Sequence, residues 1–187
     1  KKVHTINVDQ DTLFNTEITS DVAIIDVAAS KTADFRKAVA ATNINAHNNA
    51  TLIFSQTDAH TVSSAINNSD SGTVTVNVVN SANSEAPSAV TFSSATFAPS
   101  TLNIGSSTYG GHAIFTHSDG LEVATINVVG GNHSSEDSTL QVNYQITASS
   151  GLNLNDNTGD AIIIFAGDNN ITVSAVVTPA AAGDGRP

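Results

Sequence analysis

Apolar and polar residues alternate with a period of two along much of the chain. Leu140, Val142, Tyr144 and Ile146 fall on one side, with Thr139, Gln141, Asn143, Gln145 and Thr147 on the other. That is the signature of a β-strand with one buried face. Ile171, Val173, Ala175 and Val177 repeat it against Asn170, Thr172 and Ser174, and Val74, Val76 and Val78 repeat it against Thr73, Thr75 and Asn77. β-Branched residues fill these segments, as a pleated, half-buried surface favours. Further strands are predicted at 3–8, 22–28, 51–55, 61–66, 89–94, 101–106, 112–117 and 121–129, separated by Gly-, Asn-, Ser- and Pro-bearing turns.

Three segments depart from the simple pattern. The apolar phase of Leu121 and Val123 slips to Ile126 and Val128 across Thr125, which predicts a bulge. Ile162, Ile163, Ile164 and Phe165 are apolar on both sides, which suits a central strand covered on both faces, or one whose outer face a partner chain hides. A single helix is predicted after Ser30 as N-cap, running through Asp34, Phe35, Lys37 and Val39 and fading at Thr42 and Asn43, with Phe35 and Val39 on its buried stripe.

The fold class that follows is all-β, an antiparallel sandwich of Greek-key or jelly-roll type with one short helix; the alternative is a right-handed β-solenoid. Residues 86–179 hold seven predicted strands, most starting 9 to 12 residues apart, the cadence of an immunoglobulin-like sandwich. Residues 1–85 form a less regular β-rich segment with the helix, either a subdomain or extra strands of one larger sandwich. The boundary is placed at the Pro-bearing segment 83–87. Residues 180–187 read as a flexible tail.

Charge narrows the possible partners. The chain of 187 residues has a formal net charge of −11, and between Ala38 and Gly185 there is no Lys or Arg, whereas eleven of the seventeen acidic residues fall there. Without a basic cluster there is no counterion-release term for nucleic acid and no attraction to an anionic membrane surface. No apolar run is long enough to span a bilayer as a helix. Charged residues make up only 12% of the chain, so Ser, Thr, Asn and Gly face the water, as in many secreted proteins. Met is absent and the chain opens at Lys1, which implies that a leader peptide has been removed or that the sequence is a fragment; an extracellular or cell-surface location after removal of a leader is expected, and the absence of Cys does not place the protein in the cytosol.

The phrase ATLIFSQTDAHTVSSAINNSDSGTVTVNV, Ala50 to Val78, resembles the rungs of bacterial autotransporter passengers and related surface-layer proteins. The resemblance implies a right-handed β-solenoid stacked into an extracellular stalk or coat, with adhesion or surface covering as its role. The chain departs from it afterwards: strands lengthen past Leu121 and no fixed period is sustained. In composition and cadence the second half resembles the sandwich modules of bacterial and archaeal surface filaments and large adhesins.

Candidate chemistry is sparse. Asn153, Asn155, Asp156, Asn157, Asp160 and Asp168 gather hard oxygen ligands in two loops, and Asp156, Asp160 and Asp168 are the candidate calcium ligands. The segment lacks the EF-hand glycine and closing glutamate, and Asx turn chemistry is the competing reading. Asp9, Asp11 and Asp26 are a second such set. The six histidines, His4, His47, His60, His112, His117 and His133, form no HxH or HExxH pair. No nucleophile elbow, phosphate-binding glycine loop or spaced carboxylate pair marks a catalyst, and no enzyme activity is expected. Sequons begin at Asn49, Asn67, Asn132 and Asn170.

The function expected is therefore that of a structural subunit of an extracellular assembly, a filament, surface layer or adhesin stalk, with other copies of itself as partner. Association would run through strand edges, the N-terminal strand with Val3, Ile6 and Val8 being the candidate donor. One alternative is an adhesin module binding glycans or a host surface through loops at Tyr109 and 153–160, although the lack of Trp and the presence of only two Tyr leave few stacking platforms. The other is a β-helical polysaccharide-active enzyme.

Overall fold

The computed structural model describes residues 3–56, 58–80, 87–167 and 173–178. Seventeen strands follow one another: β1 (Val3–Val8), β2 (Thr12–Phe14), β3 (Val22–Val27), β4 (Thr32–Phe35), β5 (Asn43–Ala46), β6 (Thr51–Gln56), β7 (His60–Val62), β8 (Ala65–Asn68) and β9 (Thr75–Asn80) in the first half. The second half adds β10 (Val90–Phe92), β11 (Thr101–Ile104), β12 (His112–Phe115), β13 (Leu121–Val129), β14 (Ser138–Val142), β15 (Ile146–Asn155), β16 (Ala161–Phe165) and β17 (Val173–Thr178).

Every paired strand runs parallel to its neighbour, and the chain coils into a β-solenoid of about six turns with no helix among the described residues. Three sheets form its sides, in the orders β1-β3-β5-β8, β16-β14-β12-β10-β7 and β17-β15-β13-β11-β9-β6-β4-β2. The antiparallel sandwich expected from the cadence is therefore wrong, and the solenoid alternative is the one that fits. A parallel partner needs a crossover, and here each crossover is a full turn of the coil. The threonines Thr32, Thr51, Thr75, Thr101 and Thr125 stand in one column, although 19, 24, 26 and 24 residues separate them. Those unequal turns hid the repeat.

Stacking like on like builds the core. Ala33, Leu52, Val76, Leu102, Ile126 and Leu152 form one inward column of the eight-stranded sheet, and all are at most 1% exposed. In the next inward column Phe14, Phe35 and Phe54 stack with ring centroids 5.0 and 5.3 Å apart. Phe54 meets Phe92 of the facing five-stranded sheet edge-on at 5.2 Å, and Phe92 stacks on Phe115 at 4.9 Å. Each such buried side chain contributes on the order of 1.5–3 kcal/mol by leaving water. One buried cluster runs from Val8 to Leu152. The boundary expected at 83–87 and the tail at 180–187 lie largely or wholly outside the described residues, and strands on either side of that boundary pair directly, β9 with β11 and β7 with β10.

The expected helix is also absent. Ser30 adopts a left-handed conformation, φ 60°, in a turn, and Thr32–Phe35 follows as β4 with Ala33 and Phe35 inward. Val39 bridges Ile18 and Val62 on a different side of the coil. Phe35 and Val39 are both buried, as a helical stripe would have them, but on two walls of a corner. The slip at Thr125 is a true irregularity, since the register of β13 on β15 shifts between Val123 and Thr125. Ile162 to Phe165 do not form a central strand: β16 is the outermost strand of its sheet, with Ile164 and Phe165 each 42% exposed.

Candidate functional site

The outward face of the eight-stranded sheet carries the most ordered polar array. Two residues along from the threonine column, Asn77, Asn103, Asn127 and Asn153 share one register on β9, β11, β13 and β15. Each amide nitrogen donates to the carbonyl oxygen of the preceding turn: Asn103 to Asn77 at 2.8 Å, Asn127 to Asn103 at 2.7 Å and Asn153 to Asn127 at 2.8 Å. The dipoles thus align, and each amide keeps an N–H and a lone pair to spare. A groove of about 420 Å³ lies over this ladder, flanked by Val79 and Val129 and floored in part by Gly105. On the four-stranded sheet a shorter ladder repeats the device, Asn67 donating to Asn45 at 3.1 Å.

Of the carboxylates expected to bind calcium, that of Asp156 closes a turn, and Asp160 is held there through its backbone. Asp156 Oδ1 accepts the Ala161 N–H at 2.8 Å, and the Asp160 N–H donates to Asp137 Oδ1 at 2.9 Å. Asp168 lies outside the described residues. Among the described residues no three His, Asp or Glu side chains converge as a metal site. Nor do Asp9, Asp11 and Asp26 gather: Asp11 accepts the Thr32 N–H at 2.9 Å, while Asp26 faces His47. Within the 130–138 turn Glu136 is wholly buried, which the sequence reading did not single out; the Asn132 amide, with its nitrogen inward, donates to Glu136 Oε2 at 3.1 Å. The glycines at 130 and 131 beside it were the available signal.

Histidines divide into two kinds. His47 lies between two carboxylates, Nδ1 3.0 Å from Asp70 and Nε2 3.2 Å from Asp26, linking three successive turns. The Asp70 hydrogen bond, aided by Asp26, raises its pKa above the ordinary 6.5. Asp70 is correspondingly lowered, first by the Asn48 N–H and then by His47. His60, His112 and His117 are instead lowered by burial. His117 borders a cleft of about 490 Å³ with Asp119 and Glu122. Neither of its ring nitrogens has a hydrogen-bond partner among the described residues, and Asp119 instead receives the Ser118 hydroxyl at 3.3 Å. A general base normally needs a group to orient it, and this histidine has none.

The two ends of the coil differ. At the N-terminal end β1 is in register with β3, Val3 opposite Val22, and Val8 is 1% exposed while Ile6 packs on the core. At the other end β16 and β17 have no further strand beside them among the described residues. Five of the six large apolar side chains exposed among those residues are there: Ile164, Phe165, Val173, Val176 and Val177; the sixth is Leu13. No family model, curated protein or solved structure matches the chain. The described residues thus present an amide-lined groove, a histidine clamp and an apolar strand edge at β16 and β17. Tyr109, expected at a binding loop, is half-buried, its carbonyl accepting from Ser106.

Proposed function

We propose that the protein is a structural subunit of an extracellular assembly that associates with copies of itself through open strand edges. The observation that carries this reading is the end of the coil, where inward columns continue into β16 and β17 and meet water. Leu152 is 1% exposed, but its register partner Val177 is 49% exposed. Open strand edges with apolar side chains are the usual template for adding another chain. The Ser-, Thr- and Asn-rich surface supports the extracellular setting. The N-terminal strand is already committed to its own core through Val8, so the proposal takes the form of edge association and not of strand exchange by Val3, Ile6 and Val8. Sedimentation and negative-stain microscopy of the purified chain test it: oligomers or rods growing with concentration are expected, and a monomer at every concentration overturns it.

A second reading, a glycan-binding adhesin module, is favoured by the groove over Asn77, Asn103, Asn127 and Asn153. Spare amide groups suit sugar hydroxyls, Val79 and Val129 suit the apolar faces of sugar rings, and a lining without charged side chains favours a neutral glycan. Binding of neutral oligosaccharides, lost on Val129→Lys with the fold intact, is the result this reading requires.

A further inference from the structure

We infer that the groove over the asparagine ladder takes a straight, uncharged β-1,4-linked glycan chain laid along the coil axis, with about one sugar ring per strand; this rests on the glycan-binding reading above. The groove crosses β6, β9, β11, β13 and β15, from Ile53 to Asn153. Five parallel strands about 4.8 Å apart make it about 19 Å long across the strands. Its lining is Ile, Asn, Val, Gly and Ser, without a charged side chain.

Two outward columns give the groove its repeat. Asn77, Asn103, Asn127 and Asn153 offer the same amide once per strand, each held by its neighbour through a hydrogen bond of 2.7 or 2.8 Å. The array is thus ordered before a ligand arrives. In the second column Val79, Gly105 and Val129 follow directly on the registered Val78, Ile104 and Val128. Apolar side chains therefore stand on alternate strands, about 9.6 Å apart, with the bare backbone of Gly105 between them. A β-1,4-linked pyranose chain has a matching period: it advances by about one strand spacing per ring and turns each ring half over relative to the last. Alternate rings then lay the same face on Val79 and Val129, the ring between them lies over Gly105, and each ring meets one ladder amide.

Other extended polymers fit less well. A peptide strand repeats its side chains every two residues, about 6.8 Å, and falls out of step with the amides. A polyanion finds no cation in the lining. An α-1,4-linked glycan coils and so curves away from a straight groove.

Titration calorimetry of the full chain with cello- and manno-oligosaccharides of two to six rings tests this, with maltohexaose as the coiled counterpart. In at least one β-1,4-linked series affinity is expected to rise with each ring up to about four and then level off, the span of the groove. Maltohexaose is expected to bind about tenfold more weakly than the hexasaccharide of that series. Val79→Lys, at one end of the groove, is expected to weaken the longer chains about tenfold while leaving the circular dichroism unchanged. If the disaccharide binds as tightly as the hexasaccharide, or maltohexaose as tightly as its straight counterpart, the lengthwise chain is overturned and neutral-glycan binding stands. If neither series nor maltohexaose binds, both fall.

Discussion

The first three turns and the last one are built from the same kinds of residue, but they treat them differently. Between the ends an inward residue has a neighbour above and below, as Phe35 has in Phe14 and Phe54. In the last turn the same inward position has a neighbour on one side only. In a solenoid, then, burial depends on whether a further turn follows, and an identical side chain is core in one place and exposed in another.

Substitution of phenylalanine at matched inward positions breaks this comparison most sharply. Phe92→Ala removes a ring that packs against Phe54, Phe97 and Phe115, and should cost about 3–5 kcal/mol of stability in urea unfolding. Phe165→Ala, one-sided and 42% exposed, should cost less than about 1 kcal/mol when measured on the monomer. Equal losses at the two positions would mean that the C-terminal end is covered within the single chain.

Next in size is backbone crowding at the corners. A Cβ on Gly130 would run into the Gly159 carbonyl one turn away, so Gly130→Ala should cost about 1–3 kcal/mol by overpacking. By contrast, the Cβ of an alanine at Gly151 would have only ordinary van der Waals neighbours, although its φ of 149° disfavours a side chain. Thermal melts of the two variants compare contact strain with conformational strain.

Alternation and the slip at Thr125 were legible because they are local properties, but 139–147 and 61–66, each read as one strand, turn a corner between two sheets, into β14 and β15 and into β7 and β8. The direction of the neighbour was not legible, since a half-buried strand has the same pattern whether its partner runs parallel or antiparallel. The helix expected at Ser30 shows the same limit: Phe35 and Val39 are four apart and both buried, and a corner satisfies that as well as a helix does. The ladder could have been found by aligning the Thr-x-Asn phrases at Thr75–Asn77, Thr101–Asn103 and Thr125–Asn127, a repeat masked by turns of unequal length. Asp156 and Asp160 were read as candidate ligands; the side chain of Asp156 closes a turn, and a turn-forming aspartate looks the same in sequence whether or not a metal is near.

The ladder itself gives a smaller effect. Asn127 both donates to Asn103 and accepts from Asn153, so Asn127→Ala removes two hydrogen bonds on a half-buried face. A loss of about 1 kcal/mol is expected, with water replacing part of what is removed. Asn153→Ala, at the end of the ladder with one such bond, should cost about half as much, as denaturant midpoints would register.

The smallest effect is also the most specific to region. The pKa of His47 is raised by Asp70 and Asp26, so its contribution is fully present below the ordinary histidine value and is lost as pH rises through the raised value. Asp70, lowered, adds the opposite limit: its contribution is lost as pH falls through its own depressed pKa. Between the two, the clamp across the early turns is at full strength. His60, His112 and His117 act the other way, because burial favours their neutral form and acidification through about pH 6.5 favours the unfolded chain. His47→Gln should therefore lower the melting temperature near about pH 5.5 and leave it almost unchanged above about pH 8.5. Wild type and variant should share the downward slope on acidification that the three half-buried histidines impose. A melting-temperature difference that grew with pH would show that His47 is held neutral and that the two carboxylates do not clamp it.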